Sequence, residues 1–241
     1  MPILTPTVLA AAYNTTDGAT FTTASLAVLP NRILVLWADT SIGAGTTPGV
    51  SPSNSVLTPG CVWKAEADVA WPTDVRHGFM FTAPTGTQPV PGTMVLTMTE
   101  RGSGTTSTGT GWAVLQFPPG VDPTKIAWRT SVGSVNSTGL TLTLVKASSN
   151  ANRFAVFFSH RANEVTTPRA APWAELSDVA GASPTRSGEV QWLQGTVSVA
   201  GTAELAASAT WATSSQGGGL ALELRAQPRW LRKQRLFNRL R

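Results

Sequence analysis

A period of two runs through this chain. "MVLTMTE" (94–100) and "LTLTLV" (140–145) alternate apolar and polar residues almost without a break. Successive side chains of a strand point to opposite faces, so such a run buries one face and leaves the other to solvent. Similar segments follow one another: "SLAVLPNRILVLWAD" (25–39), read as two short strands around Pro30-Asn31, then "GFMFTAP" (78–84), "GWAVLQFP" (111–118) and "NRFAVFFSHR" (152–161). "EVQWLQGTVSVAG" (189–201), "TAELAASATWA" (202–212) and "GLALELRA" (219–226) complete the series as separate strands. They are rich in Val, Thr, Phe and Trp and are bounded by Gly, Pro, Asn and Ser, as strands are. No internal segment carries a helical stripe. The pattern predicts an all-β fold, a single antiparallel β-sandwich with long loops.

The sandwich is expected over residues 21–224, after an N-terminal arm (1–20) and before a basic anchor (225–241). A chain of 241 residues can bury a core without covalent staples. Cys61 is the only cysteine, so no intrachain disulfide is expected. No run of 18 apolar residues occurs, and no membrane span is expected. The opening "MPILTPTVLAAAYN" lacks the basic start of a secretion signal, so release by cell lysis is the expected route out of a cell. Three long connections stand out: 41–60, 101–111 and 159–188, the last with a turn of helix expected at Trp173–Leu176.

Residues able to do chemistry are sparse. His77 and His160 are the only histidines, and both are expected at strand ends facing solvent. Ser159, His160 and an aspartate could be written as a triad, but no nucleophile elbow surrounds the serine. One cysteine and two distant histidines give no zinc pattern, and no calcium loop is present, so neither metal nor cofactor is expected. Glu66/Asp68 and Glu175/Asp178 are the closest acid pairs of the kind glycosidases use. Glu66 and Asp68 are expected on one strand face, as solvated surface acids. The glycine-rich stretch 101–111 lacks the G-K-[ST] of a phosphate loop and reads as a hairpin connection. Among nine tryptophans, Trp37, Trp112, Trp192 and Trp211 lie within strands and are expected in the core. Trp71 and Trp173 are expected to be exposed, where an indole can stack on a sugar ring.

The charge is unevenly placed. Seven of the 18 basic residues lie from Arg225 onward with none of the 13 acidic ones, which leaves 11 basic against 13 acidic, a net of −2, before it. Set on a helix, Trp230, Leu236, Phe237 and Leu240 fall within an arc of about 120°, with Arg232, Arg235 and Arg239 opposite; Leu231 and Lys233 break the pattern. Arginines interleaved with large apolar residues suit a partner whose groove takes the apolar side while the charges steer the approach. The expected docking residues are Arg229, Trp230, Arg232, Arg235, Leu236, Phe237, Arg239 and Leu240. Nucleic acid and an anionic membrane surface are the competing ligands for such a segment.

The order of several motifs resembles a module of phage virion structural and accessory proteins. These are Gly120-Val121-Asp122 after a strand, Trp173-Ala174-Glu175-Leu176, Ala209-Thr210-Trp211, and the closing strand Leu220–Leu224. The resemblance spans about residues 20–226 by pattern. It departs at Gln216–Gly219, where that module often has an aromatic. It implies a jelly-roll-like sandwich, structural or adhesive roles, and no shared catalytic residues. The first reading is therefore a non-enzymatic virion protein, decorating or cementing a head or serving as a tail accessory. Its partners would be the major capsid protein or other virion proteins, in many symmetric copies. A host-glycan adhesion module using Trp71 and Trp173 is the second reading. A glycoside hydrolase using Glu66 or Asp68 is the third.

Overall fold

A strand with apolar residues on both faces needs a layer on each side, and this chain supplies those layers by stacking sheets. The computed structural model describes residues 3–14, 19–41, 48–53, 55–71, 73–100, 109–122, 127–144, 151–161, 167–168, 172–182, 185–193 and 205–227. Their strands are β1 (Thr7–Asn14), β2 (Thr20–Thr22), β3 (Ile33–Ser41), β4 (Pro48–Pro52), β5 (Lys64–Trp71), β6 (Thr73–Pro84) and β7 (Val95–Glu100). Then come β8 (Thr110–Phe117), β9 (Ala127–Leu144), β10 (Arg153–His160), β11 (Thr167–Pro168), β12 (Trp173–Ala182), β13 (Thr185–Leu193) and β14 (Leu205–Leu224). A five-stranded sheet runs β1-β8-β3-β6-β5, a six-stranded sheet runs β11-β14-β10-β13-β12 with β9 on β14, and β2-β7-β4 form a third. Every pairing between these strands is antiparallel. The all-β sandwich expected from the alternation is the fold. Among the described residues no helix is long and apolar enough to cross a membrane.

Three apolar clusters separate the layers. Val35, Trp37, Met80, Leu115 and Phe117 of the five-stranded sheet meet Phe157, Trp192, Leu220 and Leu222 of the six-stranded one. The alternate residues Leu34, Leu36, Phe79, Phe81 and Val114 point the other way, onto Phe21, Val50 and Leu96 of the small sheet. The central strands of both large sheets are thus covered on both sides, which is why β8 and β10 are buried at every position. It also explains why "RFAVFFSH" reads as a nearly continuous apolar run instead of an alternating one.

The third cluster comes from a strand pair that doubles back. β14 is one strand of 20 residues where the sequence suggested two. Its Gly217–Leu224 half lies between β10 and β9, whereas Leu205–Thr210 pair with β11 and with Gly139–Leu144 of β9. The register breaks between Thr210 and Ser215. Beyond that break, Leu140, Leu142, Ala207, Ala209 and Trp211 pack on Phe154, Val156 and Phe158, although β10 is not their ladder neighbour. The ribbon therefore returns across the outer face of its own sheet as a fourth layer. Here Gln216–Gly219 has its reason: a Cβ at Gly217 would meet Trp211 and Leu140, and one at Gly219 would meet Phe158 and Leu142.

Two local expectations are corrected. Trp173–Leu176 is the start of strand β12, not a turn of helix: its backbone pairs with Leu193–Gln191, and the Trp173 indole donates to the Ala206 carbonyl at 2.9 Å. Within residues 1–20, Thr7–Asn14 form β1, hydrogen bonded along β8.

Trp71, at the end of β5, lies across the interface between the two large sheets. A Cβ on Gly78 of β6 or on Gly218 of β14 would overlap its ring. Gly218→Ala is therefore expected to destabilise the protein by about 1–3 kcal/mol in urea unfolding, the usual cost of overpacking. In a Trp71→Leu background the same change should cost little, because alanine is otherwise no worse than glycine in a strand. Equal costs in the two backgrounds would contradict this packing.

Candidate functional site

Among the described residues, the large exposed apolar side chains gather at one end. There β3 begins and β6 and β8 finish, with Ile33 in register with Phe117 and Pro84. Residues 26–32, 58–62 and 85–92 are knitted together beyond them. The Asn31 N–H donates to the Gly86 carbonyl at 2.6 Å, Thr58 N–H to Thr85 O at 3.1 Å, and Gln88 N–H to Thr58 Oγ1 at 2.9 Å. Leu29, Val62 and Val90 stand exposed on these segments, and Leu4 stands just before β1, whose first residue pairs with Gln116. These four are the large exposed hydrophobics among the described residues. A groove of about 360 Å³ opens beside Val62, between β4 and β5, lined by Val50, Pro52, Trp63, Ala65 and Phe81.

The basic segment leaves from the same end. After β8, Gly120 adopts φ 125°, a backbone that favours glycine, and Gly120-Val121-Asp122 turns to meet the closing chain. The Asp122 N–H donates to Arg225 O at 2.8 Å, Gln227 N–H donates to Gly120 O at 2.7 Å, and Ala226 N–H donates to Asn152 Oδ1 at 3.1 Å. Arg225–Gln227, assigned to the anchor on sequence, are thus bonded into the body. The expected docking residues Arg229, Trp230, Arg232, Arg235, Leu236, Phe237, Arg239 and Leu240 lie outside the described residues. The long connections 42–47 and 101–108 lie outside them too, but they depart from Ser41 and arrive before Thr110, at the opposite end of the sheet.

The residues that suggested chemistry are dispersed. Ser159 donates to Asp39 Oδ2, and the Tyr13 hydroxyl joins them at 3.2 Å from Asp39 and 2.9 Å from Ser159, between the two large sheets. His160, one residue further, points to the other face and stacks on Trp211 with ring centroids 4.4 Å apart. No Ser/His/Asp triad forms from them. His77 Nδ1 is hydrogen bonded to Asp68 Oδ1 at 2.8 Å, and the ring stacks on Phe79. Both histidines are buried, against the expectation of solvent-facing rings, because the added layers cover these strand ends.

Glu66 and Asp68 do not share a face. A bulge between Ala65 and Ala67 turns Glu66 toward Thr82, which donates to it at 2.6 Å, and Lys64, while Asp68 faces His77 on the other side. Glu66 is also buried, not solvated. Trp71 and Trp173 are only 2% and 5% exposed, so the expectation of exposed stacking surfaces is corrected at both: one ring fills the inter-sheet core and the other the third cluster. Trp37, Trp112, Trp192 and Trp211 are buried as expected. Among the described residues, no group of three or more His, Cys, Asp or Glu could hold a metal ion.

One acidic group was missed in the sequence. Glu189 of β13 lies opposite Asp178 in register, as Gln191 lies opposite Glu175, so β12 adds two carboxylates to the same face. Gln191 Nε2 donates to Glu189 Oε1 and to the Ser208 carbonyl, each at 2.9 Å, and so links β13 to the returning ribbon. Burial lifts the Glu189 carboxyl from 4.5 to about 8; the Gln191 hydrogen bond opposes this, and Glu175 and Asp178 add to it. Only the cross-strand register brings these residues together, and 14 residues of sequence separate Glu175 from Glu189.

Comparison with family models, with curated proteins and with solved structures gave no match.

The Glu189 environment makes a pH prediction. Its folded value lies above the unfolded one, so the folded state holds the extra proton. Stability should fall as pH rises from 4.5 to about 8, by up to about 1.4 kcal/mol per pH unit, and level off above that. Glu189→Gln should flatten this part of the profile, measured as urea midpoints across the pH range. A slope unchanged by the substitution would contradict the assignment.

Proposed function

We propose that this chain is a non-enzymatic structural component of a phage particle, a decoration or accessory protein held on its lattice by one end. The observation that carries the reading is the shared location of the tail root and the exposed aliphatics. Arg225–Gln227 are fixed to Gly120–Asp122 at the end that also presents Leu4, Leu29, Val62 and Val90. An end with apolar contacts and a basic segment docks; the opposite end, with its Gly-, Ser- and Thr-rich connections, is left outward. Attachment draws its strength from many weak contacts repeated by the symmetry of the lattice. The competing readings lose their residues, since Trp71 and Trp173 are core side chains and Glu66 and Asp68 face opposite ways.

Co-sedimentation with shells that lack this protein tests the reading. Full-length chain should pellet to a fixed ratio with lattice sites, less so as salt rises, because charge steers the contact. A 1–227 truncation, which keeps the bonds of Arg225–Gln227 to the body, should stay in the supernatant. Equal pelleting of the two proteins, or of neither, would contradict it.

A further inference from the structure

The outer face of the six-stranded sheet carries a block of four polar side chains. Glu175 and Asp178 are three residues apart, a spacing that puts side chains on opposite faces of a regular strand. The bulge between Glu175 and Ser177 absorbs one residue, so Glu175 comes opposite Gln191 and Asp178 opposite Glu189, all on one face. Glu189 and Gln191 are fully buried, Asp178 is half-buried and Glu175 is exposed. Gln191 donates to Glu189 Oε1, while Glu189 Oε2 is buried with no hydrogen bond from the described residues. From β10, Phe158 lies opposite Glu189, and His160 lies opposite Ser187 and stacks on Trp211. Tyr13 donates to the Ser187 carbonyl from the inter-sheet side. β12 and the returning ribbon, residues 139–144 and 205–212, contain no lysine or arginine.

We propose that β12 is a proton-held gate: it stays on β13 while Glu189 carries its proton, and residues 177–182 come away, with the rest of the sandwich folded, when that proton is lost. Like charges directly opposite each other on a strand pair are destabilising, and an ionised Glu189 sets its charge against Asp178, with Glu175 beside it. Its Oε2 has no donor there to replace lost water. Opening brings water to the carboxylate at small cost in apolar contact. β12 is the edge of its sheet and pairs on one side only. From 177 to 180 no side chain is buried, and Val179 is the only large apolar one. Trp173, by contrast, is buried and bonded to the Ala206 carbonyl, so the start of the strand stays in place as a hinge. Burial lifts the Glu189 carboxyl from 4.5 to about 8 in the closed form, whereas water surrounds it in the open one. The open form therefore gains about tenfold per pH unit between these values and levels off above them. Global stability would depend on pH wherever Glu189 were buried; the gate requires in addition that the opening be local. An opened β13 presents unpaired backbone groups, the feature by which a strand edge takes up an added strand.

Amide hydrogen exchange of the full-length chain reads the gate, followed by NMR from acid to alkaline pH, without urea and in urea well below the unfolding midpoint. After correction for the intrinsic pH dependence of exchange, the amides of residues 177–182 that bond to β13 should lose protection about tenfold per pH unit up to about pH 8. Low urea should leave this loss unchanged, and the amides of β8 and β10 should stay protected. Glu189→Gln keeps the acceptor for Gln191 and cannot ionise, so it should hold the β12 amides protected across the range. Glu175→Gln, at an exposed site, should bring the levelling-off to lower pH. Joint loss of protection in β12, β8 and β10, rising with urea, would mean global unfolding and would overturn the inference. A pH-dependent loss that survives Glu189→Gln would overturn it as well. Should Glu189→Gln fail to fold, an unchanged levelling-off in Glu175→Gln would do the same.

Discussion

The fold depends on letting the Trp71 ring cross the gap between its two large sheets. The indole needs a flat space on both sides, and Gly78 and Gly218 provide it by having no Cβ. With the ring in place, Val35, Trp37 and Met80 close against Phe157, Trp192 and Leu220 around it. The glycine at 218 is flanked by Gly217 and Gly219, whose missing side chains serve the opposite face, where the returning ribbon lays down Trp211, Leu140 and Leu142. One run of three glycines therefore permits close approach on both faces of a central strand. A large residue there would push apart two layers at once.

The doubling back of β9 and β14 has a second consequence. It converts the outer face of the six-stranded sheet into an interior, so polar groups on that face must find partners inside. Gln191 does this by bridging Glu189 to Ser208. Glu189 is left protonated near neutral pH by the same burial. Asp39, Ser159 and Tyr13 meet a similar demand between the two large sheets. These buried polar groups are structural consequences of layering.

The alternation of "LTLTLV" and "MVLTMTE" was enough to read strands and a sandwich, because a period of two reports the local backbone directly. The additional layers were not legible. A buried Phe154 or His160 looks like its exposed counterpart until the covering ribbon is known. Trp71 and Trp173 were read as exposed from their positions beside Pro72 and in a long connection, signals that describe local chain and not what packs on it. The bulge at Glu66 shifts a single side chain to the other face, and no residue type in "KAEADVAW" announces it. The Gly120-Val121-Asp122 turn is visible in the sequence, but its role in holding Arg225–Gln227 is a contact between segments about a hundred residues apart.

Polarity along the strands is what the proposed attachment to a particle rests on. One end holds the root of the basic segment and the exposed aliphatics; the other receives the long polar connections. Hydrogen exchange of the full-length protein, free and bound to shells, measures that polarity most directly. Slowed exchange confined to residues 26–32, 58–62, 85–92 and 118–122 on the particle is the predicted result. Slowed exchange around Ser41 and Thr110, with the tail-root end unchanged, would contradict the account.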